Sequence, residues 1–175
     1  MDPILSGFLQ AQFTAARTLS RESDIVSVFP VDGPLPQHYI AEFRCRGLVR
    51  EGNAPPAACD FFAFGIWFPD MYLRADFKVS DIITVLSPQN LFHPNARPPY
   101  VCVGETMRAG TELTDIVYQL YEIVSYQKVT MNENKALNWD ACVWARQNTH
   151  LLPLDPRPLK RRKLNLQVVP KGALA

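Results

Sequence analysis

The chain has 175 residues, 47% of them hydrophobic and 20% charged, enough for one globular domain with a sizeable core and too few for two comfortable ones. No apolar run approaches a membrane span, and the start, with Asp2, Gln10 and Gln12, lacks the charged n-region and continuous h-region of a secretory signal, so a soluble cytoplasmic protein is expected. The net charge of +1 conceals an asymmetry: Arg157, Lys160, Arg161, Arg162, Lys163 and Lys171 all follow the last acid, Asp155, which leaves residues 1–155 with 12 bases against 17 acids, a net of −5. A mildly acidic body argues against a nucleic-acid face on electrostatic grounds.

In chain order, the spacing predicts a helix that Asp2 caps, with Pro3 in its first turn and Leu5, Phe8, Leu9, Phe13, Ala16 and Leu19 on one face, ending near Leu19 or Ser20. Extended segments follow. Ile25 to Phe29 is the first, and His38 to Arg46 the second, where Tyr39, Ala41, Phe43 and Cys45 alternate with Glu42, Arg44 and Arg46. After the turn-rich stretch Gly52-Asn53-Ala54-Pro55-Pro56, the run from Phe61 to Phe68 predicts a strand covered on both faces, and Pro69-Asp70 ends it. Its contiguous aromatics are expected in the core rather than on a binding platform. Ile82 to Leu86 is the fourth strand, closed by Ser87-Pro88.

From Ser87 to Gly110 the chain is irregular, the kind of segment in which function concentrates. A helix is then expected with Thr111 as its cap and Leu113, Ile116, Val117, Leu120 and Val124 facing the core. Another begins near Asn138, with Ala141, Trp144 and Ala145 inward, and ends around Asn148. From Leu151 the sequence becomes proline-spaced and basic, predicting an extended arm. Within it Leu164, Leu166, Val168 and Val169 alternate enough to add as a strand to a sheet. The organisation expected is a domain over residues 1–150 and a basic extension over 151–175.

Cys45, Cys59, Cys102 and Cys142 are scattered, with no CxxC pair and no histidine at ligand spacing, so neither zinc nor a disulfide framework is signalled. The informative stretch is His93-Pro94-Asn95, a turn-forming tripeptide seven residues upstream of Cys102 in Tyr100-Val101-Cys102-Val103-Gly104. Proline holds His93 out of the helical region and leaves both flanking side chains free to bond backbone or a reacting group. Taken alone, Cys102 between two valines reads as a buried hydrophobe. In context it is the candidate nucleophile. A His-base cysteine hydrolase ranks last, because Pro94 ties His93 and Asn95 into one tight turn, whereas a base and its orienter line up from separate segments.

Helix, four-stranded meander, long loop, helix and helix is an α+β order that resembles the ubiquitin-conjugating (UBC-like) fold over roughly residues 1–150. Leu91-Phe92-His93-Pro94-Asn95 after Ser87-Pro88, Val101-Cys102-Val103, Gly110 to Ile116, and Ala136 to Ala141 carry the resemblance. The chain departs from the family's pattern as well: the interval from Asn95 to Cys102 is about one residue short, Met71 to Asp76 stands in for a Tyr-Pro-x-x-Pro-Pro element, and a Trp-Ser-Pro is missing. This divergence is similar to that of bacterial E2-like proteins encoded in antiphage operons.

The resemblance implies that Cys102 carries a protein C-terminus as a thioester and passes it to a nucleophile. It implies an E1-like activating enzyme, a ubiquitin-like modifier or target protein that supplies the C-terminus, and a nucleotidyltransferase of the same operon as partners, a role in antiviral defence, and no cofactor. Asn95 would donate to the tetrahedral oxyanion or brace the loop, and His93 would bond backbone across the turn. The acid that activates an attacking lysine in the family has no clear equivalent in Asn132 to Leu137: Lys135 or Asn134 stands at its place, with Glu133 displaced. Lys135 would favour the thiolate if it reached the sulfur. The alternative is a noncatalytic binding or scaffold module of the same fold.

Overall fold

Helix α1 (Pro3–Glu22) starts where its signals stand: Asp2 Oδ1 accepts the Ile4 N–H at 2.9 Å and Pro3 fills the first position, where no amide donor is needed. It runs slightly past the predicted end and buries Leu5, Leu9, Gln12, Ala16 and Leu19. The computed structural model describes residues 2–161.

The sheet that α1 packs against has four antiparallel strands, β1 (Val26–Pro30) and β2 (His38–Phe43) first. Two short strands, β3 (Gly47–Val49) and β4 (Ala57–Cys59), then pair with each other across the Pro55-Pro56 turn. The sheet continues in β5 (Phe62–Trp67). After β6 (Phe77–Lys78) and the one-turn helix α2 (Val79–Ile82) it ends in β7 (Ile83–Ser87), in the order β1-β2-β5-β7. The irregular passage contains a hairpin, β8 (Ala96–Arg97) with β9 (Tyr100–Val101), and β10 (Thr106–Met107), which pairs with β6. Two helices complete the fold, α3 (Leu113–Val124) and α4 (Trp139–Gln147). The architecture is α+β, as expected.

One face of the sheet holds the core. Val26 and Val28, Tyr39, Ala41 and Phe43, Phe62, Phe64 and Ile66, and Ile83 and Val85 point inward and meet Leu113, Ile116, Val117 and Leu120 of α3. Full burial of a side chain such as Phe64 contributes about 2–3 kcal/mol by area removed from water. The opposite face departs from expectation. The aromatic run is covered on one side only: Trp67 is 42% exposed, and with Phe29 and Leu86 it lies on an open face. Alternation places Phe62, Phe64 and Ile66 inside and leaves Gly65 and Trp67 on the other pleat.

The edge of β1 is closed. The Val28 N–H donates to Ser20 Oγ at 2.8 Å, the Val26 N–H donates to Ser23 Oγ at 3.0 Å, and Pro30 has no N–H to offer. At the other edge the Val85 N–H donates to the Pro99 carbonyl at 2.8 Å.

The cap of α3 is also not the one predicted. Its N-cap position is Glu112, whose side chain makes no capping bond, and the Thr111 hydroxyl donates instead to the Arg108 carbonyl at 2.8 Å. The first amide, Leu113 N–H, is satisfied by buried Gln12 Oε1 of α1 at 2.8 Å. Helix α4 does follow its local signal, with Asn138 Oδ1 accepting the Ala141 N–H at 3.1 Å.

Beyond a short 3-10 turn at Thr149–Leu151 the chain is extended but lies against the body. Leu159 is buried in the core, and the Tyr121 hydroxyl donates to the Arg157 carbonyl at 2.5 Å. Buried Asp155 accepts from the Arg157 guanidinium and the Arg46 N–H, and the Arg161 N–H donates to the Glu22 carbonyl at 2.8 Å. The strand addition expected of Leu164, Leu166, Val168 and Val169 lies outside the described residues, as do Arg162, Lys163 and Lys171. Among the described residues no helix is long and apolar enough to cross a membrane.

Candidate active site

Proline at the second position of a turn sets the geometry on which the site rests. The Ala96 N–H closes His93-Pro94-Asn95-Ala96 by donating to the His93 carbonyl at 3.0 Å. The tripeptide therefore turns directly into β8, and the β8–β9 hairpin returns the chain so that Ala96 faces Val101. Cys102 follows at once, opposite Asn95, and its N–H donates to the Asn95 carbonyl at 2.7 Å.

The Asn95 side chain is nearly buried and reaches both ways. Its Nδ2 donates to the Cys102 carbonyl at 3.3 Å, and its Oδ1 accepts the Thr130 N–H at 2.8 Å. It ties the cysteine segment to the chain that leaves α3. An amide nitrogen carries two hydrogens, so one donor remains after the bond to Cys102. Loop bracing and oxyanion donation are therefore compatible at this residue.

His93 is sealed from solvent. Its Nδ1 accepts the Asn95 N–H at 2.9 Å, which leaves the proton on Nε2, and Nε2 is buried with no hydrogen-bond partner. The ring stands edge to face with Tyr126, centroids 4.3 Å apart. Burial pushes its pKa down to about 3, so it stays neutral. Grouped by sequence with Cys102 and Asn95, His93 bonds backbone across the turn and is closed to solvent. A base with this geometry has no acceptor nitrogen free, which removes the arrangement a Cys-His hydrolase needs.

Cys102 is half-exposed while Val101 and Val103 on either side are buried. The two valines anchor the segment and the thiol faces outward. Its Sγ–H donates to the Gly104 carbonyl at 3.3 Å. Two of the other thiols differ: Cys45 and Cys142 are buried, with burial pushing the Cys45 thiol up to about 12. Cys59 is half-exposed and donates to the Phe61 carbonyl.

The polar loop before α4 approaches from the other side, and the Asn138 N–H donates to the Pro94 carbonyl at 3.2 Å. Glu133 is held on α4, paired with the Arg146 guanidinium and accepting the Trp139 Nε1–H at 3.1 Å. Lys135 is exposed, and among the described residues it donates no side-chain hydrogen bond to the Cys102 segment. The lysine that does so is Lys128, whose Nζ donates to the Val103 carbonyl at 2.7 Å. Neither Lys128 nor Thr130 nor Tyr126 carries a local signal, since each reaches the site from the segment that follows α3 through contacts distant in sequence.

No protein-family model matches this chain, and none of the curated proteins matches it. The fold and site together define an α+β protein with an accessible cysteine braced by an asparagine carboxamide. No group of His, Cys, Asp and Glu suited to hold a metal occurs among the described residues.

Proposed function

We propose that this protein is an E2-like acyl carrier of the UBC-like fold, in which Cys102 accepts a protein C-terminus as a thioester from an E1-like activating enzyme and passes it to a nucleophile. The observation that carries the proposal is the double tie between Asn95 and a half-exposed Cys102. Thioester exchange needs an accessible sulfur and a donor for the oxyanion that forms as the carbonyl is attacked, and it needs no base beside the sulfur that would activate water. The neutral, occluded imidazole of His93 meets the last condition.

In the transfer step the thiolate attacks the donor thioester carbonyl, the donor's C–S bond breaks, and its thiol departs with the proton. An acceptor amine later attacks the Cys102 thioester, forms the amide and returns the sulfur. The carried protein is a ubiquitin-like modifier or a target with a free C-terminus, and placement in bacterial antiviral defence, with a nucleotidyltransferase as target, follows the sequence resemblance. Glu133 is bound to Arg146 and Trp139, so lysine activation by that loop has no free acid here. This favours a second reading, a noncatalytic module of the same fold.

The test incubates the protein with an activating enzyme, ATP and a candidate modifier. A reducible adduct that vanishes in Cys102→Ala and becomes a reductant-stable ester in Cys102→Ser supports the carrier. Tight modifier binding without any adduct supports the scaffold.

A further inference from the structure

Three successive carbonyl oxygens beginning at the nucleophile are each taken by a different side chain. Asn95 Nδ2 donates to Cys102 O at 3.3 Å, Lys128 Nζ donates to Val103 O at 2.7 Å, and the Cys102 thiol donates to Gly104 O at 3.3 Å. Lys128 is half-buried, also reaches Gln119 Oε1 at 3.4 Å, and makes no ion pair with a carboxylate among the described residues. Its backbone is fixed independently, the Lys128 N–H donating to the Glu122 carbonyl at 2.8 Å. A charged donor on a carbonyl is about twice as strong as a neutral one.

These bonds divide the loop. Asn95 holds the Cys102–Val103 peptide unit and Lys128 holds the Val103–Gly104 unit. The Gly104–Glu105 unit has as its side-chain donor the thiol proton itself, which is lost when sulfur is acylated. The space beside the Gly104 Cα is open, an added Cβ there meeting Thr106 O at 3.9 Å.

We propose that Lys128 is a positioning residue for Cys102. It confines the rearrangement caused by acylation to the Gly104–Glu105 unit and keeps the sulfur aimed outward. This role rests on Cys102 being the loaded thiol. It takes nothing from Lys135, which would have favoured the thiolate only by reaching the sulfur. The cost of losing it is orientational, because a thiol free to sample other directions spends less time in line with the carbonyl it must attack.

The experiment acylates Cys102 with a small donor, the mercaptoethanesulfonate thioester of acetyl-glycyl-glycine, followed by intact mass. Lys128→Met slows acylation about tenfold and Lys128→Arg stays within about twofold of wild type. In wild-type protein alkylated by iodoacetamide, amide chemical-shift changes centre on Gly104 and Glu105. Equal rates in wild type and Lys128→Met, equal slowing in Met and Arg, or shift changes spread evenly over residues 102–105 of the wild type each overturn the role. The last measurement decides even if Lys128→Met does not fold. Wild-type protein that reacts with the small thioester but never with an activated modifier refutes the carrier function and leaves the role of Lys128 intact.

Discussion

Asn95 and Cys102 hold each other through both backbone and side chain: the Cys102 N–H donates to the Asn95 carbonyl at 2.7 Å, and Asn95 Nδ2 donates back to the Cys102 carbonyl at 3.3 Å. The same carboxamide accepts the Thr130 N–H through Oδ1, so its two ends do separable work.

Substitution at Asn95 separates them. Asn95→Asp keeps the acceptor for Thr130 and removes the donor, and it lowers acyl transfer from Cys102 on the order of a hundredfold, the usual effect of losing one oxyanion donor. Asn95→Ala removes both and, by leaving the Thr130 N–H unpaired, also costs about 1–3 kcal/mol of stability. Single-turnover discharge read beside denaturant unfolding checks the pair, and equal discharge by Asn95→Asp and wild type would refute the oxyanion role.

The buried imidazole makes stability depend on pH. His93 has its folded pKa depressed from 6.5 to about 3, so the unfolded chain takes up the proton first. The contribution of the neutral ring is complete above about pH 6.5 and is lost as pH falls toward 3, with a slope of up to about 1.4 kcal/mol per pH unit. The depressed carboxylates Asp2, Asp32 and Asp155, whose ordinary value is 3.8, begin to contribute only below about pH 5, so the slope between about pH 6.5 and 5 belongs to His93. Urea unfolding across that range shows the slope in wild type and its loss in His93→Leu.

Gln12 caps a helix to which it does not belong. Gln12→Ala orphans the Leu113 N–H at the start of α3 and lowers stability by about 1–2 kcal/mol, a fall of roughly 2–8 °C in Tm for a chain of this size. Thr111→Ala, at the cap position read from the sequence, shifts Tm by less. Thermal unfolding of the two variants compares them directly.

Asp155 fastens the last described residues to the body through Arg157 and the Arg46 N–H. Asp155→Asn is expected to cost about 2 kcal/mol, below the full value for a broken buried pair because the guanidinium is half-exposed to solvent. Hydrogen exchange detects the change as faster exchange of residues 154–161, with the sheet amides unaffected.

The sequence by itself determined what is encoded within a few residues. Asp2 and Asn138 cap their helices, alternation marks β2, the apolar stripes mark α1 and α3, and the proline of His93-Pro94-Asn95 makes the turn that precedes Cys102, because caps, pleats and turns are local contacts. Tertiary structure alone decided that Gln12 caps α3, that the β5 aromatics cover one face only, and that Lys128 rather than Lys135 reaches the cysteine segment. Those contacts join residues 25 to 101 positions apart. They exist because α1, α3 and the sheet share one core, and burial is nondirectional, so no local pattern of residues announces which distant side chain it will bring to a given carbonyl.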